Sequence, residues 1–278
     1  MSTATATPPR RKPPTPTPRP ATNLTFEKAP RALAQRIGLY GPGGIGKTTL
    51  AAAAPGPVAF IDLDDSLGVL DVDALRVPGV DSWADLRKTL QSDRWTESGI
   101  RTIVIDTATR AEELAVEWTC ANVPNDRGGR VQRIEDYGYG KGYTHVYDTF
   151  LTLMGDLDAH IRAGRNIVLV AHDCTANVPN PHGEDYIRYE PRLQSPGSGK
   201  ASIRLRLREW LDHLLFVGYD IAVEKGKGQG SGTRTIYPME TPACMAKSRT
   251  LDETIPFERG SSDLWERLFP GSYTQGEE

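Results

Sequence analysis

One stretch constrains this chain more than any other: Gly41-Pro42-Gly43-Gly44-Ile45-Gly46-Lys47-Thr48-Thr49. It fits the pattern G-x-x-x-x-G-K-[ST] without a mismatch. Its flanks agree with it. Arg36-Ile37-Gly38-Leu39-Tyr40 reads as a short buried strand, and Thr48 to Ala54 reads as a helix that Pro55-Gly56-Pro57 ends. Glycines let successive backbone N–H groups converge on a phosphate without Cβ clashes, and a helix N-terminus adds a favourable field for the anion. Lys47 is expected to reach the outer phosphates of a nucleoside triphosphate, and the Thr48 hydroxyl to ligate Mg²⁺.

The rest of the chain supplies the frame for such a loop. Val58-Ala59-Phe60-Ile61-Asp62 is a second apolar strand, followed by Asp64 and Asp65. Arg101-Thr102-Ile103-Val104-Ile105-Asp106 is a third, with its aspartate at the C-terminal end, where an acidic residue holds Mg²⁺ through water. Thr109 to about Asn122 reads as a helix with Leu114 and Trp118 inward. Tyr143 to Ala163 carries a clear helical period, with Gly164 as its stop. Asn166-Ile167-Val168-Leu169-Val170-Ala171 is a fourth core strand ending at His172.

Residues 173–200 hold four prolines and little periodicity, so they read as a long functional or disordered loop. A helix resumes over Ser202 to His213. Leu214 to Val223 and Thr235 to Met239 read as strands joined by a mobile, basic loop, and Leu264 to Phe269 as a short helix. Strands alternating with helices around a phosphate loop specify an α/β fold: three layers, a mainly parallel sheet and a C-terminal antiparallel hairpin.

Composition sets the limits. At 278 residues there is room for one large α/β domain or two small ones. Residues 1–30 read as a disordered basic Pro/Thr-rich tail, 31–270 as the folded domain and 271–278 as a flexible tail. Arg10, Arg11, Lys12 and Arg19 lie within residues 1–22 without an acid, so the body is more acidic than the net charge of −3. An acidic body argues against coating duplex DNA but leaves room for a local basic channel. The nearly apolar run Leu50 to Ile61 is broken by two prolines and too short for a bilayer, and no signal peptide is evident. No membrane association and a cytoplasmic location follow as expectations. Cys120, Cys174 and Cys244 lie far apart, without metal spacing.

The order of these parts resembles the RecA-type P-loop ATPase core, most closely the phage-encoded, core-only RecA-like proteins of single-strand annealing and recombination. The likeness covers roughly residues 34–257. It implies ATP and Mg²⁺ as ligands, and carries further roles onto matching positions. Asp64, two residues past the strand-end Asp62, matches a catalytic carboxylate that orients the attacking water, with Asp65 beside it as the rival. His172 matches a polar sensor of the γ-phosphate. Lys247 and Arg249 match a Lys-x-Arg pair inserted into a neighbouring subunit's site, which implies a homo-oligomer, ring or filament.

The same resemblance makes residues 123–143 and 173–204 the DNA-facing loops. Their composition fits: Arg130 and Lys141 stand among tyrosines in the first, and Arg188, Arg192, Lys200 and Arg204 with Tyr186 and Tyr189 in the second. Cations for phosphates interleaved with aromatic faces for bases suit sequence-independent single-strand binding. The implied activity is a DNA-stimulated ATPase, in the host bacterium's cytoplasm if phage-encoded, with a single-strand-binding protein as a further candidate partner. Rival readings are a hexameric helicase or helicase loader, and a nucleotide-switched regulatory module that never touches DNA.

Overall fold

The computed structural model describes residues 34–197, 199–224 and 227–271, with the side chains of 221–231 left aside. The tail expected over 1–30 and nearly all of that over 271–278 lie outside the described residues.

The chain alternates strand and helix as its apolar pattern demands. β1 (Arg36–Gly41) leads through the phosphate loop into α1 (Lys47–Ala52). β2 (Val58–Asp62) and a two-residue edge strand, β3 (Leu75–Arg76), precede α2 (Trp83–Leu90) and α3 (Arg94–Glu97). β4 (Thr102–Asp106) runs into α4 (Ala108–Asn122), and α5 (Lys141–Arg162) into β5 (Asn166–Val178) and β6 (Tyr186–Pro191). α6 (Ile203–Trp210), β7 (His213–Glu224), β8 (Lys227–Tyr237), β9 (Ile255–Pro256) and α7 (Asp263–Leu268) complete the order. Side-chain hydroxyls set three helix starts: Ser82, Thr107 and Ser202 accept from the N–H of Asp85, Arg110 and Leu205. α5 ends as the sequence predicts: Gly164 N–H reaches Ile161 O and Arg165 N–H reaches His160 O, the paired bonds of a Schellman motif.

The sheet order is β3-β2-β4-β5-β1-β7-β8-β9. Strands β3 to β7 in that list pair in parallel, and β8 and β9 add antiparallel at one side. Alternating strand residues divide between two cores. Ile103, Ile105, Ile167, Leu169, Leu214 and Phe216 pack beneath α2, α4 and α5. Val104, Val168, Val170, Leu215 and Val217 pack against Leu50, Leu264 and Trp265 of α1 and α7. Strands buried on both faces read as continuous apolar runs, and the result is the expected three-layer α/β fold with a mainly parallel sheet. Because β1, β2, β4 and β5 are parallel, their C-terminal ends share one edge: Asp62 stands beside Asp106, and Gly41 beside His172. Among the described residues no helix is long and apolar enough to cross a membrane.

Several expectations need correction. Residues 173–200 are not a structureless loop. β5 continues through Val178 and pairs antiparallel with β6, from Asp173↔Pro191 to Val178↔Tyr186. Pro179, Pro181 and Gly183 sit in the turn, and Pro191 and Pro196 lie at or beyond the end of β6, so the prolines mark the ends of a hairpin. The β7–β8 ladder likewise runs on to Glu224↔Lys227, well into the segment expected to be a loop. Trp118, expected inward, is 37% exposed; Ala115, Thr119 and Cys120 take the buried face of α4. Tyr137, expected on a DNA-facing loop, is buried, with its hydroxyl 2.9 Å from Thr119 O and 2.8 Å from Val123 O, sharing its one proton between them.

Candidate active site

The phosphate loop leaves β1 where the backbone must turn beside a neighbouring strand. A Cβ on Gly41 would stand 2.1 Å from Val217 O, so only glycine passes there. Gly46, at φ 108°, lies against the Phe257 ring, 3.2 Å from where its Cβ would be. Lys47 is 7% exposed, and its ammonium donates to Gly41 O at 2.7 Å and Pro42 O at 2.9 Å. An ammonium has three N–H groups, so one remains for a phosphate oxygen. Burial pushes the Lys47 pKa down, with Asp106 and Asp173 opposing.

Thr48 Oγ1 donates to Asp106 Oδ2 at 2.6 Å. Ser66 Oγ lies 3.2 Å from the same oxygen and 3.1 Å from Asp62 Oδ1. Asp62, its side chain fully buried, accepts from the N–H groups of Ser66 and Leu67 at 2.9 and 3.1 Å and so shapes the turn after β2. Burial raises the Asp106 pKa; the Thr48 and Ser66 hydroxyls lower it, while Asp62 and Asp64 add repulsion. A cation set among these oxygens would relieve that strain. The donor set fits Mg²⁺: one hydroxyl and one carboxylate of hard oxygen, the rest left to phosphates and water.

Asp64 and Asp65 face different surroundings. Asp64 accepts from Thr107 Oγ1 at 2.9 Å and lies 3.6 Å from His172 Nε2. Asp65, at φ 53°, turns away to pair with Arg76. Asp64, His172, Lys47, Thr48 and Asp106 line one cleft of about 330 Å³, together with Gly43, Gly44 and Arg259. A larger groove, about 830 Å³, lies elsewhere, around Trp83 and Trp118 on the helical face, and holds none of these groups. The chemistry converges on the smaller one.

The other expected site residues lie apart. Lys247 donates to the carbonyls of Arg208, Glu209 and Leu211 at 3.0, 3.1 and 2.7 Å, closing the end of α6. Arg249 donates to Asp212 Oδ1 at 2.8 Å and is largely exposed. Asp212 also holds the Arg36 N–H, at the start of β1. The pair therefore sits a strand length, roughly 17 Å at about 3.3 Å per residue, from its own phosphate loop.

Among the expected DNA contacts, Arg188 and Arg204 are turned inward, which corrects the sequence reading. Arg188, 7% exposed, pairs with Glu190 and Glu240; Arg204 pairs with Glu190 and donates to Leu193 O. Alternation along β6 puts Arg188 and Glu190 on one face, and a phosphate could reach Arg188 only by displacing two carboxylates. Arg192, Lys200 and Arg130 are exposed, and Lys141 pairs with Asp126. Ser66, Thr107 and Arg259 are site residues that the sequence reading missed. A hydroxyl four residues past Asp62, and another directly after Asp106, were the available signals for the first two.

The AAA domain family matches residues 33–250, most of the chain. The protein belongs to this family. As an AAA-domain protein with an intact phosphate loop it is a P-loop ATPase by kind. Comparison with curated proteins gives no match. Among solved structures it is similar to a KaiC-like protein from the hyperthermophilic archaeon Pyrococcus horikoshii, 14% identical over 81% of this chain and 85% of that one, with a TM-score of 0.42. At that score the likeness decides nothing about what this AAA-domain protein acts on.

Proposed function

We propose that the chain hydrolyses ATP with Mg²⁺ and couples this to single-stranded DNA, as an oligomeric recombination or annealing ATPase of phage type. The observation that supports it best is the convergence of Lys47, Thr48, Asp106, Asp64 and His172 in one cleft. Backbone N–H groups of the phosphate loop and the Lys47 ammonium cradle the phosphates. The Thr48 hydroxyl and, through water, Asp106 would hold Mg²⁺, which would supply positive charge against the phosphoryl group being transferred. Asp64, kept in place by Thr107, orients and deprotonates the attacking water. His172 stands beside Asp64 and within reach of the terminal phosphate.

Coupling to DNA rests on β5. His172 carries no break behind it: its N–H donates to Thr109 Oγ1 at 3.1 Å and its carbonyl accepts from Arg192 N–H at 2.9 Å. The strand then becomes the β5–β6 hairpin, so a shift at His172 moves Arg192. With Arg188 and Arg204 engaged inside, the cations offered to a strand are Arg192, Lys200 and Arg130, with the fully exposed Tyr139 as a stacking face. Arg249, largely exposed although it pairs with Asp212, is the member of the Lys247/Arg249 pair that can be offered to a neighbouring subunit. Measuring ATP hydrolysis with and without a single-stranded oligonucleotide, at stated salt, tests the whole reading. Hydrolysis that strands accelerate supports it; hydrolysis indifferent to DNA reduces it to a nucleotide switch.

A further inference from the structure

The cleft has a wall contributed from the far end of the chain. Beyond β9, Phe257 N–H donates to Arg234 O at 2.8 Å, and its ring backs Gly46 of the phosphate loop. Residues 258–261 then form a tight turn, closed by Ser261 N–H to Glu258 O at 3.1 Å, with Gly260 at φ 84° in its third position. Arg259 takes the second position. Its side chain is exposed and lines the cleft with Gly43, Lys47, Thr48 and His172. Among the described residues it has no ion-pair partner, whereas Arg249 is held by Asp212 and Arg204 by Glu190.

We propose that Arg259 is a phosphate-binding residue supplied in cis, placing its guanidinium on the polyphosphate of a bound nucleoside triphosphate. This rests on the nucleotide reading above. A guanidinium presents a planar fork that matches two phosphate oxygens, and charge-assisted bonds of this kind are roughly twice as strong as neutral ones. The Phe257 anchor against Gly46 ties the turn to the phosphate loop, so the backbone that carries Arg259 is placed at the cleft before any ligand binds. The same role explains why a cation without an ion-pair partner among the described residues sits in a cleft whose carboxylates, Asp64 and Asp106, accept from the Thr107 and Thr48 hydroxyls.

Calorimetric titration of the full chain with ATP and, separately, with inorganic tripolyphosphate tests this, both with Mg²⁺. Arg259→Ala should weaken both ligands by the same factor, about ten-fold, and Arg259→Lys should recover only part of it. Thermal melting of the free variants should match that of the parent chain, because the side chain is exposed. A loss for ATP alone would place Arg259 on the base or sugar and overturn the proposal; so would no loss for either ligand. Lys47→Ala separates the two levels of the argument. If it loses ATP while Arg259→Ala does not, only the Arg259 assignment fails; if the parent chain binds neither ligand, the nucleotide reading fails with it.

Discussion

Thr48 Oγ1 donates to Asp106 Oδ2 at 2.6 Å, joining the end of the phosphate loop to the end of β4 across the intervening β5. The bond ties together the two residues proposed to hold Mg²⁺, and burial holds the carboxylate's pKa up. For an acid, a folded pKa above the unfolded value means that the folded state is penalised as pH rises through that window. Asp106→Asn should therefore leave the free protein at least as heat-stable as the parent at pH 7. Turnover should fall by roughly 100-fold or more, as one charge-stabilising group is lost. A melting curve and a Mg²⁺ titration of ATPase activity check both halves; a variant that loses stability together with activity contradicts this account.

Asp64 and Asp65 separate cleanly as a second test. Asp64 faces the cleft beside Thr107 and His172, whereas Asp65 pairs with Arg76 outside it. Asp64→Asn should lower kcat by roughly 100-fold with ATP affinity kept, the size usual for a positioned general base. Asp65→Asn should change kcat by less than about two-fold. Steady-state kinetics on the two variants decide, and equal effects would remove Asp64 from the mechanism.

Arg188 and Arg192 are four residues apart and should fail in different ways. Removing Arg188 leaves Glu190 buried and short of a partner, a change that costs on the order of 3 kcal/mol and lowers the melting temperature. Arg192→Ala should leave melting unchanged, weaken single-strand binding for all sequences alike, and flatten the log-affinity against log-salt slope by about 0.7. Salt-dependent binding isotherms beside melting curves distinguish the two.

His213 gives the protein a pH dependence of its own. It is 1% exposed and close to Ser248 Oγ at 2.8 Å; burial lowers its pKa from the ordinary 6.5 to about 4. The unfolded chain then binds a proton that the folded chain refuses, so stability falls as pH drops from about 6.5 toward about 4 and levels off below. The loss amounts to roughly 3 kcal/mol when complete. His160, also buried with a lowered pKa, adds in the same direction. Denaturant unfolding at pH 7 and pH 5 should show the fall, and His213→Asn should remove its share of it.

What could be read in advance follows from how local each signal is. The phosphate loop is contiguous, and the apolar runs around it carry their own strand signal, so the layers and the order of β1, β2, β4 and β5 were legible. Arg188 was misread for want of a period. Taken as loop, it has no inside or outside; taken as strand, it shares a face with Glu190. Lys247 and Arg259 depend on contacts across long stretches of chain, to the end of α6 and to the phosphate loop, and nothing near them in sequence marks either. Asp65 differs from Asp64 by one positive φ, which no neighbouring residue announces.

Arg249 offers the sharpest test of shared sites. It lies near the start of β1, about a strand length from the phosphate loop that ends it, so within one subunit it cannot stabilise a phosphoryl group. Lys247 is held by three carbonyls, and replacing it would loosen α6, so the variant to use is Arg249→Ala alone. A Lys47→Ala subunit keeps its Arg249, and an Arg249→Ala subunit keeps its phosphate loop. Each alone should be nearly inactive, while the Arg249→Ala protein still binds ATP, because its defect is in the transition state and not in cradling the substrate. Mixed where subunits exchange, some interfaces pair an intact loop with an intact arginine, and activity should rise above the sum of the two residual rates. In a sample shown by mass to contain mixed oligomers, a rate no higher than that sum would mean that no arginine crosses between subunits.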